Sequence, residues 1–386
     1  MIISPARRLQ QVEEYYFARK LRQIRQMNEE GKDVINLGIG SPDLAPSEQS
    51  IATLAQVAQQ ENAHGYQPYR GLPELRQAIA AWSQQTFGIT LDAEQGVLPL
   101  MGSKEGITHI SLAFLNPGDE VLVPSLGYPA YSSVVRMAEA EVKNYPLVPG
   151  SWLPDFEKME QLNTEKVKLL WCNYPHMPTG TAATAEIFER LIAFGRERNI
   201  LICHDNPYAL VLNQDKPLSI LSISGAKEVA IELHSLSKSH NMAGWRVGWI
   251  AGAADYLNEI IKIKSNVDSG MFKAVQLAAV QALRNSEEWH QQRNKEYRKR
   301  QAITFELAKM LECRADTGQQ GMFVWAQIPE REESAESFSE RILQQHHVFI
   351  TPGHIFGSQG NRYLRFSLCV SQPRLQEAVE RIASHQ

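Results

Sequence analysis

The chain has few cysteines and almost no excess charge, and each shortage narrows the kinds of protein it can be. Its 386 residues include four cysteines, Cys172, Cys203, Cys313 and Cys369, without the paired spacing of a metal site or a disulfide framework. We therefore expect no bound metal and a reducing compartment. The formal net charge of −4 supplies no basic excess for binding nucleic acid.

Long apolar stretches are also missing. No run of about 18 apolar residues occurs, so we expect no membrane-spanning helix. Residues 1–8 carry no long apolar stretch after their charges, so we expect no secretory signal and a cytoplasmic protein. What is present is a chain that is 43% hydrophobic, enough for a sizeable core, and long enough for two or three domains.

The middle of the chain alternates short apolar runs with an amphipathic pattern. We predict strands over residues 167–172, 200–204 and 229–233, and a helix over 185–198 with its apolar face inward. This alternation indicates right-handed crossovers and a mostly parallel sheet. A long helix is predicted over 281–312, and its basic run 293–300 is interpreted as a solvated face.

One run, residues 235–248, brings together a lysine and an arginine. It reads Ser-Leu-Ser-Lys-Ser-His-Asn-Met-Ala-Gly-Trp-Arg-Val-Gly, so Arg246 follows Lys238 by eight residues. A lysine that attacks a carbonyl needs a lowered pKa, which burial and a nearby cation supply. The run resembles the cofactor-lysine segment of fold type I pyridoxal-phosphate enzymes, in particular the class I and II aminotransferases. The alternative is an ordinary lysine in a loop.

Asp205 ends the predicted strand that begins at Ile200, 33 residues before Lys238. Open α/β sheets bind their ligands at this end of a strand. A carboxylate there can keep a pyridoxal ring nitrogen protonated, as the ring's electron-sink chemistry requires. The resemblance implies this role for Asp205 and places Tyr208 beside the ring hydroxyl. A helix N-cap is the alternative for Asp205.

A glycine-containing turn leads into a predicted helix that Asn116-Pro-Gly118 stops. Its apolar residues Ile107, Ile110 and Phe114 recur at helical spacing. Free amides and the helix dipole favour an anion at the start of such a helix. The resemblance implies a site there for the cofactor phosphate, formed by Gly102, Ser103 and Lys104 with the Ser235 hydroxyl and the Arg246 guanidinium.

Two N-terminal segments extend the resemblance. Residues 35–43 are similar to the family's substrate-side loop, with Gly40 at the position of closest approach. Residues 64–76 are similar to the segment whose tyrosine, here Tyr66, reaches the cofactor phosphate of the neighbouring subunit. The resemblance therefore implies a homodimer.

A C-terminal segment resembles the strand with the arginine that binds the substrate α-carboxylate. Residues 351–353 and 363–367 carry this resemblance, and they point to Arg365. An arginine can pair with a carboxylate through two parallel hydrogen bonds. Arg362 is a nearby competitor, but its spacing to Phe366 does not fit. A surface ion pair is the alternative for Arg365.

One segment departs from the family pattern Asn-Pro-Thr-Gly, whose asparagine bonds the cofactor ring oxygen. This chain reads Asn-Tyr-Pro-His-Met-Pro-Thr-Gly from Asn173, with Met177 in the asparagine's place. A methionine accepts hydrogen bonds weakly and cannot donate them. Tyr208 then serves the ring oxygen alone, or His176 or Asn173 assists. We place Asn173 among the cofactor-binding residues.

Two tyrosines compete for the face of the ring. We expect Tyr128 to stack there, with Tyr131 as its rival and core packing as the alternative for both. We expect the side-chain pocket to include Tyr15, Tyr16 and the region 320–323. No second arginine is clearly placed for an acidic substrate side chain.

The resemblance implies an α/β fold of type I, with a large cofactor domain built on a mostly parallel sheet flanked by helices, and a smaller α/β domain. We predict the large domain over 46–283 and the small domain over 1–45 together with 284–386. Substrate would lie between Lys238 and Arg365, in the cleft between the domains.

The function that the resemblance implies is amino-group transfer from an L-amino acid to a 2-oxo acid, with pyridoxal 5'-phosphate bound to Lys238. The closest-looking branch contains the alanine-type and LL-diaminopimelate-type aminotransferases. A lyase performing β- or γ-elimination on the same fold is the alternative and would share these residues. A non-catalytic regulatory module is a third hypothesis, but it predicts a damaged lysine, acid or arginine, and all three are intact.

Overall fold

Two β-sheets organise the chain. The structure, a computed structural model, describes residues 3–11 and 14–384. The two ends of the predicted small domain, at residues 1 and 386, therefore lie outside the described residues.

Within these residues the helices are α1 (Tyr16–Glu29), α2 (Glu48–Ala58), α3 (Pro73–Phe87), α4 (Ser103–Phe114), α5 (Pro129–Met137), α6 (Phe156–Glu160), α7 (Ala185–Arg198), α8 (Ala226–Val229), α9 (Leu236–Ser239), α10 (Ala254–Val267), α11 (Lys273–Ala282), α12 (Glu287–Met310), α13 (Ala335–His346) and α14 (Gln372–Ala383). The strands are β1 (Ile35–Asn36), β2 (Val97–Leu100), β3 (Glu120–Pro124), β4 (Glu141–Tyr145), β5 (Val167–Asn173), β6 (Leu201–Asp205), β7 (Ala230–Ser235), β8 (Gly248–Gly252), β9 (Arg314–Ala315), β10 (Phe323–Gln327), β11 (Val348–Phe349), β12 (Thr351–Pro352) and β13 (Tyr363–Ser367).

The large sheet has seven strands in the order β2-β8-β7-β6-β5-β3-β4. Strands β4, β3, β5, β6 and β7 are mutually parallel, and β8 runs antiparallel to both of its neighbours. The predictions of an α/β fold and a mostly parallel sheet are confirmed. Strands β5, β6 and β7 and helix α7 match their predicted ranges to within two residues at each end.

The carboxyl ends of several strands meet at one edge of this sheet. Asn173 ends β5 and pairs with Asp205, which ends β6. Asp205 in turn pairs with Leu233 of β7, two residues before Ser235. Three residues that lie far apart in the sequence are thereby brought to one place by strand register alone.

Both faces of the large sheet are covered, which explains why its strands are apolar throughout rather than alternating. Along β5, Leu169 and Trp171 join a cluster with residues of α4, α5 and α10. The intervening Leu170 and Cys172 join a second cluster with residues of α3 and α7. All four side chains are fully buried.

The second sheet has four strands in the order β12-β13-β10-β9, and its neighbours are antiparallel. Arg365 lies in β13, opposite Trp325 of β10 and Thr351 of β12. The N-terminal β1 forms a separate parallel pair with β11. The N-terminal arm and the last third of the chain therefore pack together.

Two predictions about the C-terminal helices need correction. The predicted helix 281–312 is interrupted, because α11 ends at Ala282 and Ser286 starts α12 by capping the backbone amide of Trp289. The run 293–300 is a solvated face only in part, since Lys295 and Lys299 are exposed whereas Arg293 and Arg300 are 4% and 2% exposed. These two arginines face the protein interior while Arg298 faces solvent.

The four cysteines are buried and free. Cys369 follows the end of β13. Across residues 3–11 and 14–384, no helix combines the length and apolar character needed to cross a bilayer.

Candidate active site

A cavity of about 520 Å³ opens at the carboxyl edge of the large sheet. Its lining includes most of the residues singled out in the sequence: Gly40, Ser103, Lys104, Tyr128, Asn173, Asp205, Tyr208, Ser235, Lys238, Arg246 and Arg365. Gly102 lies directly beside Arg246. Tyr66 is not part of this lining and is 93% exposed.

Lys238 is positioned by the junction between β7 and α9. Ser235 ends the strand, and its hydroxyl oxygen accepts a hydrogen bond from the Ser237 amide at 3.1 Å, which starts the helix. One turn of helix then directs the Lys238 side chain into the cavity. Its Nζ donates a hydrogen bond to the carbonyl oxygen of Gly40.

The surroundings of Lys238 favour its neutral form. Burial is the main cause that lowers the pKa of Lys238, and the positive charges of Arg365 and Arg246 lower it further. A larger fraction of the amine is therefore unprotonated near neutral pH, as a nucleophile or general base requires.

Asp205 is buried at the end of β6 with one oxygen satisfied and one free. Its Oδ2 accepts a hydrogen bond from the Tyr131 hydroxyl at 2.9 Å, whereas its Oδ1 has no partner among the described residues. Burial raises the pKa of Asp205 to about 6, although the Tyr131 bond opposes this shift. A buried acceptor without a partner is costly unless a ligand donates to it.

A second buried carboxylate lies behind Asp205. Glu232 in β7 accepts hydrogen bonds from His204 Nδ1 and Asn206 Nδ2, both at 2.9 Å, and from the Ser219 hydroxyl. Burial opposes ionisation, yet His234 and His204 hold the pKa of Glu232 well below its usual range. Sequence reasoning missed this network, although a glutamate inside an apolar strand signals a buried partner.

The predicted phosphate site is assembled around the start of α4. Gly102 precedes the helix with a φ of 86°, and any side chain there would overlap the Arg246 guanidinium. Arg246 Nη1 donates to the Ala243 carbonyl at 2.9 Å, which holds the guanidinium at the cavity wall. Ser103 and Ser235 line the same region, so amides, hydroxyls and a cation converge there.

Arg365 enters the cavity from the second sheet and is 4% exposed. Its Nη2 donates to the Gly38 carbonyl at 2.6 Å, and its Nη1 lies 3.3 Å from Met177 Sδ. The rings of Phe323 and Phe356 lie 4.0 and 4.5 Å from its guanidinium carbon.

This apolar setting has two effects on the arginine. Burial lowers the pKa of Arg365 to about 10, so it stays charged at neutral pH. A carboxylate that pairs with it is screened little by water. The competitor Arg362 instead donates to backbone carbonyls, including Pro329 at 2.7 Å, and does not line the cavity.

The two rival tyrosines occupy different places. Tyr128 lines the cavity at the start of α5. Tyr131 is 1% exposed, stacks on Trp171 with ring centroids 5.0 Å apart, and also reaches the lining with the hydroxyl that bonds Asp205. Sequence reasoning missed this contact, because Tyr128 precedes α5 as its N-cap residue whereas Tyr131 lies in the first turn of the helix.

Tyr208, His176 and Asn173 are the candidates for the hydrogen bond to the cofactor ring oxygen, and two of them bond to protein groups instead. His176 is engaged elsewhere, since its ring nitrogens lie 2.8 Å from Thr179 Oγ1 and 3.0 Å from the Leu126 carbonyl. The side-chain Nδ2 of Asn173 donates a hydrogen bond to the backbone carbonyl oxygen of Asp205 at 2.6 Å. Its Oδ1 accepts one from the backbone amide of Met177 at 2.8 Å. Tyr208 keeps its place in the cavity lining.

Comparison with known proteins places this geometry in context. A family model described as aminotransferase class I and II matches residues 32–382. Two LL-diaminopimelate aminotransferases, from Dehalococcoides mccartyi and Maridesulfovibrio salexigens, are 38% and 41% identical to the chain, each over 98% of both sequences. The substrate-bound structure of BacF from Bacillus subtilis is 36% identical and has a TM-score of 0.95, over 100% of this chain and 98% of that one.

Proposed function

Because this chain belongs to the class I and II aminotransferases and transfers amino groups with pyridoxal 5'-phosphate, we propose that its chemistry is carried by Lys238, Asp205 and Arg365. The observation that supports this most is their convergence on one cavity from three separate elements, α9, β6 and β13. Fold type I is shared with the solved relatives.

The cavity fits the cofactor on two independent grounds. The partnerless Oδ1 of Asp205 calls for a donor, which a protonated ring nitrogen provides. The start of α4, with Gly102, Ser103 and Lys104, joins Ser235 and Arg246 in a concave site for a phosphate. We assign to Tyr128 stacking on the cofactor ring and to Tyr208 a hydrogen bond to the ring oxygen. We assign to Asn173 the hydrogen bonds that position Asp205 and Met177 beside the cofactor.

When bound, the pyridoxal group supplies the electron sink that accepts the charge left as the substrate Cα loses its proton. Lys238 Nζ holds the cofactor and, once released, takes the Cα proton as a general base. Asp205 maintains the positive charge on the ring nitrogen. Arg365 binds the substrate α-carboxylate, beside the Gly40 segment, and so orients Cα toward Lys238.

Elimination, the alternative, has no specific support. It would use the same residues, but the two LL-diaminopimelate relatives compared above are aminotransferases. The distinguishing product test is simple, because a lyase releases ammonia and a 2-oxo acid without any acceptor.

We assign residues 46–283 to the large domain and 1–45 with 284–386 to the small one. Support comes from the sheets, since the seven-stranded sheet draws on residues 97–252 and the four-stranded sheet on 314–367. The β1–β11 pair joins the N-terminal arm to the C-terminal part. Substrates are an L-amino acid and a 2-oxo acid, and we place the enzyme in the cytoplasm.

We also propose a homodimer in which Tyr66 serves the neighbouring subunit. Tyr66 lies outside the cavity of its own chain and is 93% exposed. Its loop contacts the segment that follows α10, at Gly270 and Phe272. Val267, the last residue of α10, and Phe272 are 65% and 41% exposed. Exposed apolar side chains grouped in this way are typical of an interface.

The assignment of Lys238 is tested by chemical trapping. Borohydride reduction of the cofactor-loaded enzyme should leave the label on the peptide that contains Lys238, and Lys238→Ala should lose both the label and transamination. Lys104→Ala serves as the control, because that lysine lines the cavity but is assigned no covalent role. A label on any lysine other than Lys238 would contradict the proposal.

A further inference from the structure

Part of the cavity remains after the cofactor and carboxylate roles are assigned. It is formed by six apolar or aromatic residues, Tyr15, Phe17, Ala18, Leu21, Ile39 and Phe356. Phe17, Ala18 and Leu21 lie on one face of α1. We call this part the α1 wall.

Almost every charged residue of the lining already has an assigned role, so few are free to pair with a charge at the far end of the substrate side chain. Besides the four that we have assigned, Asp205, Lys238, Arg246 and Arg365, the described lining contains only Lys104. Its Nζ lies 5.0 Å from the centre of the Tyr15 ring, in a cation–π contact. Asp205 is thus the one acid of the described lining, and it is committed to the cofactor.

These charges set the chemistry that the α1 wall can accept. A distal ammonium on the substrate would find no carboxylate among the described lining residues, and an unpaired charge next to apolar side chains is costly. A distal carboxylate would find only Lys104, which faces the Tyr15 ring. An apolar side chain gains instead from leaving water, in proportion to the area it buries. The cavity should therefore bind amino donors with apolar side chains more tightly than donors with a charged side chain.

Resting on the proposed function, we infer that the amino donor is an L-amino acid with an uncharged apolar side chain, aliphatic or aromatic. The α1 wall receives that side chain, while Arg365 holds the α-carboxylate. This donor preference differs from that of the relatives compared above, which are named for LL-diaminopimelate.

The first test is a donor panel on the cofactor-loaded enzyme. Leucine, methionine and phenylalanine are compared with LL-diaminopimelate, lysine and glutamate, each with pyruvate and, except for glutamate, with 2-oxoglutarate as acceptor. We expect kcat/KM for the best apolar donor to exceed that for LL-diaminopimelate and for glutamate at least tenfold. If LL-diaminopimelate, lysine or glutamate is the best donor, the inference is wrong although amino transfer stands. If no donor in a wider panel transfers its amino group, the proposed function itself fails.

A variant of the α1 wall sharpens this test. Leu21 is 40% exposed, so Leu21→Glu can be tolerated and supplies the missing carboxylate. We expect the ratio of kcat/KM for lysine to that for leucine to rise about tenfold or more. Leu112→Glu, at a leucine of α4 that is 43% exposed and outside the cavity lining, should leave the ratio unchanged. An unchanged ratio in Leu21→Glu would overturn the role of the α1 wall.

Binding supplies a readout that is independent of turnover. Calorimetry on the loaded enzyme compares 3-phenylpropanoate with 6-aminohexanoate, two carboxylates that lack the α-amino group. We expect 3-phenylpropanoate to bind at least tenfold more tightly, with a negative heat-capacity change that marks apolar burial. Equal or tighter binding of 6-aminohexanoate would contradict the inference.

Discussion

At the scale of single residues, the pKa of Asp205 is set by the groups that surround its carboxyl group. Burial raises the pKa of Asp205 to about 6, and the hydrogen bond from Tyr131 holds it below the value that burial alone would produce. The role of this carboxyl group requires the charged form, which is lost as pH falls through its pKa. We therefore expect the Tyr131 hydroxyl to influence the acid side of the pH profile.

Removing the Tyr131 hydroxyl should shift that profile. Tyr131→Phe deletes a hydrogen bond to the charged form, so the Asp205 pKa rises and the acid limb of kcat/KM moves up by about one pH unit. The measurement is kcat/KM between pH 5 and 9 for wild type and variant. Tyr145→Phe is the matched control, since Tyr145 is equally buried and donates to the Trp171 carbonyl at 3.0 Å. A limb that does not move would show that Tyr131 leaves the Asp205 pKa unaffected.

Much of the residue-scale site was predictable from the sequence, and the exceptions share a cause. Lys238, Asp205 and Arg365 stand in local motifs, and all three line the cavity. Tyr131 and Glu232 act through partners 74 and 13–28 residues away. No local pattern encodes such a partner, because strand order and helix rotation decide it.

At the scale of elements, α12 shows how a basic run can be structural. Arg293 donates to the carbonyls of Ser239, next to Lys238, and of Leu210, two residues after Tyr208. One guanidinium thus ties two active-site segments to a helix of the C-terminal part. Burial lowers the pKa of Arg293 to about 10, so it remains charged at neutral pH.

Replacing Arg293 should loosen both segments. Arg293→Met leaves the Ser239 carbonyl without its side-chain donor, whereas the Leu210 carbonyl keeps only its bond from Asn294 Nδ2 at 3.1 Å. We therefore expect a loss of about 1–3 kcal/mol in unfolding free energy and roughly a tenfold lower kcat. Urea unfolding and steady-state kinetics measure the two effects. Arg298→Met, on the exposed side of α12, should change stability by no more than about 0.5 kcal/mol. Equal unfolding free energies of the two variants would show that Arg293 does not stabilise the two active-site segments.

The elements themselves were predicted unevenly for a physical reason. Helix α7 matches its predicted ends because Thr184 caps it and Asn199, with a φ of 54°, closes it. The predicted domain boundary between 283 and 284 lies in the interruption between α11 and α12, but the long helix was predicted to begin at 281 instead of 287 because residues 283–286 contain no proline or glycine. There the Ser286 cap decides the boundary, and a lone serine is a weak signal.

At the scale of the whole molecule, the site depends on elements from every third of the chain. Lys238 bonds the Gly40 carbonyl and Arg365 bonds the Gly38 carbonyl, so the N-terminal arm lies between the two cations. The sequence resemblance predicted this convergence. It could not show which face of α1 meets the cavity, because that rotation is set by packing of the arm.

The proposed homodimer makes a prediction about mixed subunits. When Tyr66→Phe and Lys238→Ala chains are combined in equal amounts, half of the dimers are hybrids, and each hybrid contains one site with both residues intact. We expect about a quarter of the wild-type number of full sites. Activity is assayed at limiting cofactor, where loss of the Tyr66 hydroxyl weakens binding.

The outcome separates shared sites from independent ones. If each Tyr66 served its own chain, the mixture would show only the averaged activity of its two parents. Sedimentation of the wild type as an active monomer at the assay concentration would equally contradict the proposal. Tyr69→Phe, at a neighbouring tyrosine that is 49% exposed, replaces Tyr66→Phe in the control mixture and should not need rescue.

The contact between Gly40 and Phe323 constrains the order in which this lineage can change. A side chain at position 40 would overlap the Phe323 ring, and that ring lies 4.0 Å from the guanidinium carbon of Arg365. A smaller residue must therefore appear at 323 before anything but glycine is accepted at 40. Once an alanine is fixed at 40, the phenyl ring can return only after position 40 has reverted to glycine, so the two positions can change only in a fixed order in either direction.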